Sequence, residues 1–252
     1  MSEVNSSYPL WHPYTQMQTA GVPVNILKGK GSYLFDEQGN RYIDAVSSWW
    51  TNLHGHAHPH IAAAIAKQAT ELEQVIFAGF THPAGLQLAQ MLLQRIPYHH
   101  KVFYSDNGST AVEAAIKMAI QFWWNKGEER RKIIAFRDAY HGDTIGAMGV
   151  GFTSWFQAPY GALVTHALIA PTPFAPCNSG DPVEERVADE AIAEMERIVR
   201  AHHEELAAVV VEPLCLGSAG IRIYPASYLS KLRALCDAYD VLLIADEVAV
   251  GF

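Results

Sequence analysis

The sequence has 252 residues, of which half are hydrophobic, so it is long enough for one large domain with a substantial core. Only 17% of the residues are charged and the net charge is −8, which excludes a disordered chain and, with no Lys/Arg cluster, argues against nucleic acid or an anionic membrane as a partner. No apolar run approaches the roughly 18 residues of a membrane span, no signal peptide is recognisable, and the irregularly spaced cysteines fit a reducing cytoplasm.

The N-terminal part of the chain is predicted to hold short strands followed by two helices. Residues 31–46 have the pattern of two strands joined by a turn at residues 38–40, where a glycine follows a glutamine. Residues 59–77 and 83–96 each begin at a proline and repeat apolar residues at helical spacing, which predicts two helices.

From residue 101 onward, predicted strands and helices alternate. The strands are expected at residues 101–105, 132–136, 207–213 and 241–246, and the helices at residues 109–125, 183–206 and 226–239. This alternation predicts an α/β fold with a mostly parallel sheet and helices on both faces, preceded by the small N-terminal β segment. The loop-rich residues 151–182 are interpreted as an excursion within the same domain.

Residues 104–115 follow a predicted strand and open a predicted helix, which is where an anion site can form. Gly108 permits a tight turn, and free N–H groups at a helix N-terminus next to the Ser109 hydroxyl would bind a phosphate. The alternative is ordinary capping by Ser109 or Thr110, with Glu113 completing a capping box. The sequence contains neither of the common glycine-rich dinucleotide and NTP loops.

Polar and aromatic residues follow the next strands. Tyr140 could stack on a flat ligand, and Asp143 could hold its neighbour or a substrate amine, although both would also suit a polar turn with one packed tyrosine. Glu212 and Asp246 end the two later strands. Because open α/β sheets bind ligands at the carboxyl ends of their strands, this edge would suit a flat, phosphorylated heteroaromatic with a basic ring nitrogen, and pyridoxal phosphate is such a molecule.

Two N-terminal motifs leave alternatives open. The alternating histidines of residues 54–60 invite a metal site, but Pro59 breaks any regular strand, so we expect a loop that leads into the helix and no metal. Trp49 and Trp50 could be core residues, or they could form the wall of a cleft for an amphipathic or cationic ligand.

Together these motifs resemble the class III aminotransferases, which are pyridoxal-phosphate enzymes of fold type I. The likeness runs from about residue 12 to the end and is carried by HPYTQM, SSWW, HGHAHP, SDNGSTAVEAAIKMA, YHGDTIGAM, GSAGI and IADEVAVGF. WHPYTQM, SSWW and YHGDTIGAM most resemble the branch that transfers an amino group from S-adenosylmethionine to 8-amino-7-oxononanoate in biotin biosynthesis. The alternatives are another class III ω-aminotransferase, of the ornithine, GABA or diamine type, and a non-catalytic fragment that binds pyridoxal phosphate.

The resemblance implies how the cofactor is held. Gly108 and Ser109 would bind the phosphate at the helix N-terminus. Tyr140 would stack against the pyridine ring, and Val248 would pack on the opposite ring face.

The resemblance also implies the groups that act on the ring and on the substrate. Asp246 would pair with the ring nitrogen, because a carboxylate favours the protonated form, and Glu212 would lie near the hydroxyl edge of the cofactor. Tyr14, Trp49 and Asp143 would line the substrate side.

The domain organisation implied by the resemblance is that of an incomplete enzyme. Residues 1–52 would belong to the small domain and residues 53–252 to the large pyridoxal-phosphate-binding domain of a homodimer, with the C-terminal small domain absent. The family's cofactor-binding lysine follows the Asp246 strand by roughly one strand–helix unit, and no lysine of this sequence has that context. We therefore expect an N-terminal part of a longer enzyme that is inactive by itself.

Overall fold

The computed structural model describes residues 8–151, 157–175 and 182–251. The chain divides into two compact units, Met1–His99 and His100–Phe252. The assignment of residues 1–52 to a small domain and residues 53–252 to a large one is a functional division, and it stays a prediction.

The first unit contains a three-stranded antiparallel sheet. Its strands, in sheet order, are β1 (Ile26–Lys30), β2 (Tyr33–Asp36) and β3 (Arg41–Ile43). The last two are the predicted strands, and Gly39 between them has a φ of 84°, which glycine adopts without a steric penalty. The sequence pattern does not predict β1, because its glycine and lysines weaken the strand signal.

Two helices follow in the first unit, α1 (Pro59–Glu71) and α2 (Pro83–Arg95), and both begin at the predicted proline. The first is shorter than predicted because Leu72 has an extended backbone, with φ of −165° and ψ of 111°. Neither helix has a buried residue in the described structure. Large apolar side chains of both helices stay exposed, among them Ile65 at 65% and Leu86 at 50%, whereas Leu92 and Leu93 are half-buried.

The second unit is built on a parallel sheet. The strands of this unit are β4 (Lys132–Phe136), β5 (Leu168–Ala170), β6 (Leu206–Val211), β7 (Cys215–Leu216), β8 (Arg222–Ile223) and β9 (Leu242–Ala245). The order β5-β4-β6-β9 is parallel throughout, whereas β7 and β8 form a small antiparallel pair. The predicted mostly parallel sheet is confirmed.

Helices cover both faces of this sheet, as the alternation predicts. They are α3 (Gly108–Asn125), α4 (Ile145–Val150), α5 (Pro182–His202) and α6 (Ala226–Ala238). Successive residues of a strand point to opposite faces. Ile134 and Phe136 therefore pack in one core with α5 and α6, whereas Ile133 and Ala135 pack in the other with α3 and α4.

Several element boundaries differ from the sequence prediction. The strand predicted at residues 101–105 is wrong, because no strand of the described structure pairs with this segment. A sequence pattern can suggest a strand, but the strand forms only where a neighbouring backbone provides hydrogen-bond partners. The long helix stops at His202, and a 3-10 turn, His203–Glu205, leads into β6. The strand β5 lies unpredicted in the loop-rich excursion, parts of which, residues 152–156 and 176–181, lie outside the described residues.

A membrane-spanning helix is not found in the described part of the chain, since none of its helices is both long enough and apolar enough to cross a bilayer.

Candidate active site

Three neighbouring strands of the second unit end at one edge of the parallel sheet. There β4 leads into residues 137–143, β6 into Glu212 and β9 into Asp246. The register pairs Val211 with Ala245, and the Asp246 N–H donates to the Val211 carbonyl over 2.8 Å. Loop and carboxylates therefore share the edge at which open α/β sheets bind ligands.

The Asp246 carboxylate is buried and held by two neighbours. His141 Nδ1–H donates to Oδ2 over 2.7 Å, and the Val248 N–H donates to Oδ1 over 3.1 Å. The side chains of His141 and Asp246 are 0% and 7% exposed. A buried carboxylate is costly unless it is hydrogen-bonded, so this pair fixes the direction in which Asp246 points.

His141 has no role in the sequence-based interpretation, which names only its neighbours Tyr140 and Asp143. Its Nε2 atom is buried and has no hydrogen-bond partner in the described structure. The signal that could have identified it is its place between those two residues at a strand end. A polar side chain there can reach the acid that ends a neighbouring strand.

Glu212 fastens two loops together at the same edge. Its Oε1 accepts the Tyr140 N–H at 3.0 Å, and its Oε2 accepts the Gly217 N–H at 2.9 Å. Burial is the largest influence on the pKa of Glu212 and raises it above its usual value, and the nearby Asp246 charge raises it too. The two hydrogen bonds and the nearby His141 offset part of this increase. Glu212 thus sets the backbone position of Tyr140.

The loop from Tyr140 to Asp143 is joined to the first turn of α3. The Tyr140 hydroxyl donates to Asp143 Oδ2 over 2.9 Å, and the Asp143 N–H donates to Ser109 Oγ over 3.1 Å. Gly142 makes this approach possible, since its φ is +119° and a Cβ there would lie 2.0 Å from Ser109 Oγ. Only glycine tolerates both conditions.

The cap of α3 differs from the predicted alternatives. Asn107 is the N-cap and forms a capping box with Thr110, whose N–H donates to Asn107 Oδ1 over 3.0 Å. Capping by Ser109 or Thr110 with Glu113 in the box is therefore wrong, because an asparagine earlier in the chain is an equally good cap. Glu113 instead accepts the Gly146 N–H at 2.7 Å, at the start of α4.

The first turn of α3 keeps donors for a ligand. The N–H groups of Gly108 and Ser109 have no acceptor in the part of the chain that the structure describes. A Cβ on Gly108 would lie 3.1 Å from both methyl groups of Val248, so the turn is close to the segment after β9. Free N–H groups at a helix N-terminus bind anions.

The other two candidate residues, Tyr14 and Trp49, lie in the first unit. Their rings stack with centroids 6.3 Å apart and planes 9° from parallel. A core role for Trp49 and Trp50 is wrong in this structure, since they are 67% and 60% exposed. Both belong to a run of left-handed residues, a conformation that costs roughly 1–2 kcal/mol per residue outside glycine.

The sequence and the fold identify the family to which the chain belongs. The family model of aminotransferase class III matches residues 14–252. The chain belongs to the class III aminotransferase family, and its structural neighbours are transaminases of fold type I.

The curated relatives include adenosylmethionine-8-amino-7-oxononanoate aminotransferases. The protein of this name from Synechococcus elongatus is 46% identical over 248 residues, which cover 98% of this chain and 58% of the relative. The one from Geobacter sulfurreducens is 43% identical and covers 96% of this chain and 55% of the relative. The chain thus spans a little over half the length of these relatives.

Solved structures of transaminases also match this chain. The crystal structure of adenosylmethionine-8-amino-7-oxononanoate aminotransferase from Methanocaldococcus jannaschii superposes with a TM-score of 0.87 at 38% identity, covering 97% of this chain and 54% of that one. A PLP-bound amine transaminase from an uncultivated Pseudomonas species also gives 0.87, at 32% identity, covering 98% of this chain and 57% of the other.

Replacing Gly142 with alanine should destabilise the site, because the added Cβ meets Ser109 Oγ and the left-handed φ is strained. We expect Gly142→Ala to lower the free energy of unfolding by roughly 1–3 kcal/mol in urea denaturation. Gly161→Ala is the matched control, since its Cβ would only make an ordinary 3.7 Å contact. Equal unfolding midpoints for the two variants would contradict this role of Gly142 in the loop.

Proposed function

We propose that this chain is part of an enzyme that transfers the amino group of S-adenosylmethionine to 8-amino-7-oxononanoate and so forms 7,8-diaminononanoate in biotin biosynthesis. The observation that carries the proposal is the buried Asp246 carboxylate, which His141 holds at the sheet edge. The nearby N–H groups at the start of α3 have no acceptor among the described residues. The names and 43–46% identity of the curated relatives support the choice of substrates.

The residues at this edge fit pyridoxal 5′-phosphate. The N–H groups of Gly108 and Ser109, which have no acceptor in the described part of the chain, suit its phosphate. The carboxylate of Asp246 suits its ring nitrogen. Tyr140 would stack on one face of the ring, and Val248 would pack on the other. We therefore propose the cofactor and these residue roles together, since the phosphate, the ring nitrogen and the ring faces of one molecule each have a matching group here.

When bound, pyridoxal phosphate supplies an electron sink that stabilises the charge left when the substrate Cα loses its proton. Asp246 favours a proton on the facing ring nitrogen, which strengthens that sink, because opposite charges attract. His141 would keep the Asp246 carboxylate directed at the ring. Glu212 would lie near the hydroxyl edge of the ring, and it holds Tyr140 in position by accepting its backbone N–H.

The substrate side is proposed to include Asp143, Tyr14 and Trp49. Asp143 is exposed and presents a carboxylate, which suits a substrate amine. The stacked rings of Tyr14 and Trp49 offer an aromatic surface, which attracts the cationic donor S-adenosylmethionine. Donor and acceptor would react in turn, in a ping-pong sequence.

We also propose that the enzyme is a cytoplasmic homodimer. The exposed apolar residues of α1 and α2, together with Trp11 at 83% exposure, form a larger apolar surface than isolated exposed side chains do. The free thiols of Cys215 and Cys236 fit a reducing compartment. Cys177 lies outside the described residues.

A second candidate is another class III ω-aminotransferase with a different donor. The amine transaminase that superposes as well as the M. jannaschii enzyme favours this alternative. Assays of the full-length protein with S-adenosylmethionine, alanine, ornithine or GABA as the donor separate the two. Transfer from S-adenosylmethionine alone supports the first proposal, and transfer only from another donor supports the second.

Asp246→Asn in the full-length protein should reduce amino transfer by about 10- to 1,000-fold, because a neighbouring carboxylate shifts a pKa by about 1–3 units and the amide carries no charge. Glu247→Gln makes the same chemical change at the next residue, which is exposed, and should leave the rate unchanged. The measurement is the initial rate of diaminononanoate formation. Equal rates for both variants would reject Asp246 as the ring-nitrogen partner.

We further propose that no lysine within these 252 residues bonds covalently to the cofactor, so that a chain of this length does not transaminate. Lys132 opens β4, at the opposite edge of the sheet, and pairs with Glu205, while Lys231 pairs with Glu185. After incubation with pyridoxal phosphate and reduction by borohydride, peptide mapping should find no single labelled lysine. One stoichiometrically labelled lysine would overturn this.

A further inference from the structure

The segment that presents Trp49 has an unusual backbone. Ser47, Ser48, Trp49 and Trp50 have φ values of 49°, 48°, 68° and 66° and form what we call the left-handed turn. None of them is glycine, and side chains disfavour this region of backbone conformation. Such a run persists only where the surrounding contacts over-determine it.

Asp44 supplies contacts of this kind. Its Oδ1 accepts the Ser48 N–H at 3.0 Å, and its Oδ2 accepts the Ser48 hydroxyl at 2.8 Å and lies 2.7 Å from His56 Nε2. The side chains of Asp44 and His56 are only 6% and 15% exposed. The hydrogen bond from the Ser48 backbone, followed by that from His56, lowers the pKa of Asp44 to about 2. The Asp44 carboxylate is therefore ionised at neutral pH.

His56 is in turn seated on the hairpin of β1 and β2. Its N–H donates to the Gly31 carbonyl over 2.8 Å, and the Gly31 N–H donates back over 3.1 Å. A Cβ on Gly29 would lie 2.6 Å from His56 Cβ and Cγ, so the imidazole rests directly on the strand. Asn52 Nδ2 lies 3.5 Å from His56 Nδ1, which assigns the proton of a neutral ring to Nε2, facing Asp44.

We propose that Asp44 and His56 are positioning residues for Trp49. The pair ties the left-handed turn to the hairpin and so holds the Trp49 ring in its stack with Tyr14. The inference rests on the proposed function, in which these two rings line the substrate side. Asp44 and His56 then affect the affinity for the substrate but not the steps at the cofactor.

His56→Leu in the full-length protein should release the turn, because leucine fills similar space but donates no hydrogen bond. A displaced aromatic ring binds a cationic ligand less tightly, so we expect KM for the amino donor to rise about 10-fold while kcat changes little. The protein is also labelled with 5-fluorotryptophan, and the Trp49 signal is identified by its loss in Trp49→Phe. That ¹⁹F resonance should shift or broaden.

Two further variants separate positioning from loss of folding. His56→Gln keeps an N–H near the Nε2 position and should give a smaller change in KM. Gly29→Ala leaves His56 intact but displaces it, and should give the same change as His56→Leu. Gly21→Ala is the matched control, since its Cβ would meet nothing within 4 Å, and it should behave as wild type.

The inference is overturned if folded His56→Leu keeps the wild-type Trp49 resonance and KM. If that variant does not fold, an unchanged resonance and KM in Gly29→Ala overturn it instead. Failure of the proposed function gives a different result: the wild-type protein then shows no amino transfer, while the Trp49 resonance still responds to His56→Leu.

Discussion

The parallel pairing of β4, β6 and β9 is the constraint on which the candidate site depends. Parallel strands all end at the same edge, and the register of Val211 with Ala245 brings Glu212 and Asp246 to the same level there. The chemistry of the site therefore follows from backbone hydrogen bonds made inside the sheet. Helices on both faces exclude water from those bonds and keep the strands in register.

At that edge, each polar side chain positions another element. Glu212 holds the Tyr140 backbone, Ser109 accepts the Asp143 N–H, and His141 orients Asp246. The loop after β4, the first turn of α3 and the segment after β9 thus form one hydrogen-bonded network. A network of this kind resists displacement of any one member, which is what the placement of a flat cofactor requires.

Much of this fold could be predicted because it depends on local patterns. The apolar run of residues 206–211 and the proline starts of α1 and α2 are readable within a few residues of sequence. The acids at strand ends could be recognised for the same reason, since a carboxylate directly after a buried apolar run lies where the strand leaves the core, at the edge that binds ligands.

The features that could not be predicted depend on contacts distant in sequence. Glu113 looks like a capping-box residue of its own helix, yet it caps α4 more than 30 residues away. His141 gains its role only when β9 brings Asp246 beside it. The left-handed turn at Ser47–Trp50 has no signature, because the Asp44–His56 contact that holds it forms only in the folded chain.

The most direct test of the proposed cofactor site is a crystal structure of the full-length protein with pyridoxal phosphate bound. It should place the ring nitrogen about 2.7–2.9 Å from an Asp246 carboxylate oxygen, with the phosphate on the N–H groups of Gly108 and Ser109 and the ring between Tyr140 and Val248. A ring nitrogen that faces another residue, or a phosphate bound away from the start of α3, would contradict it.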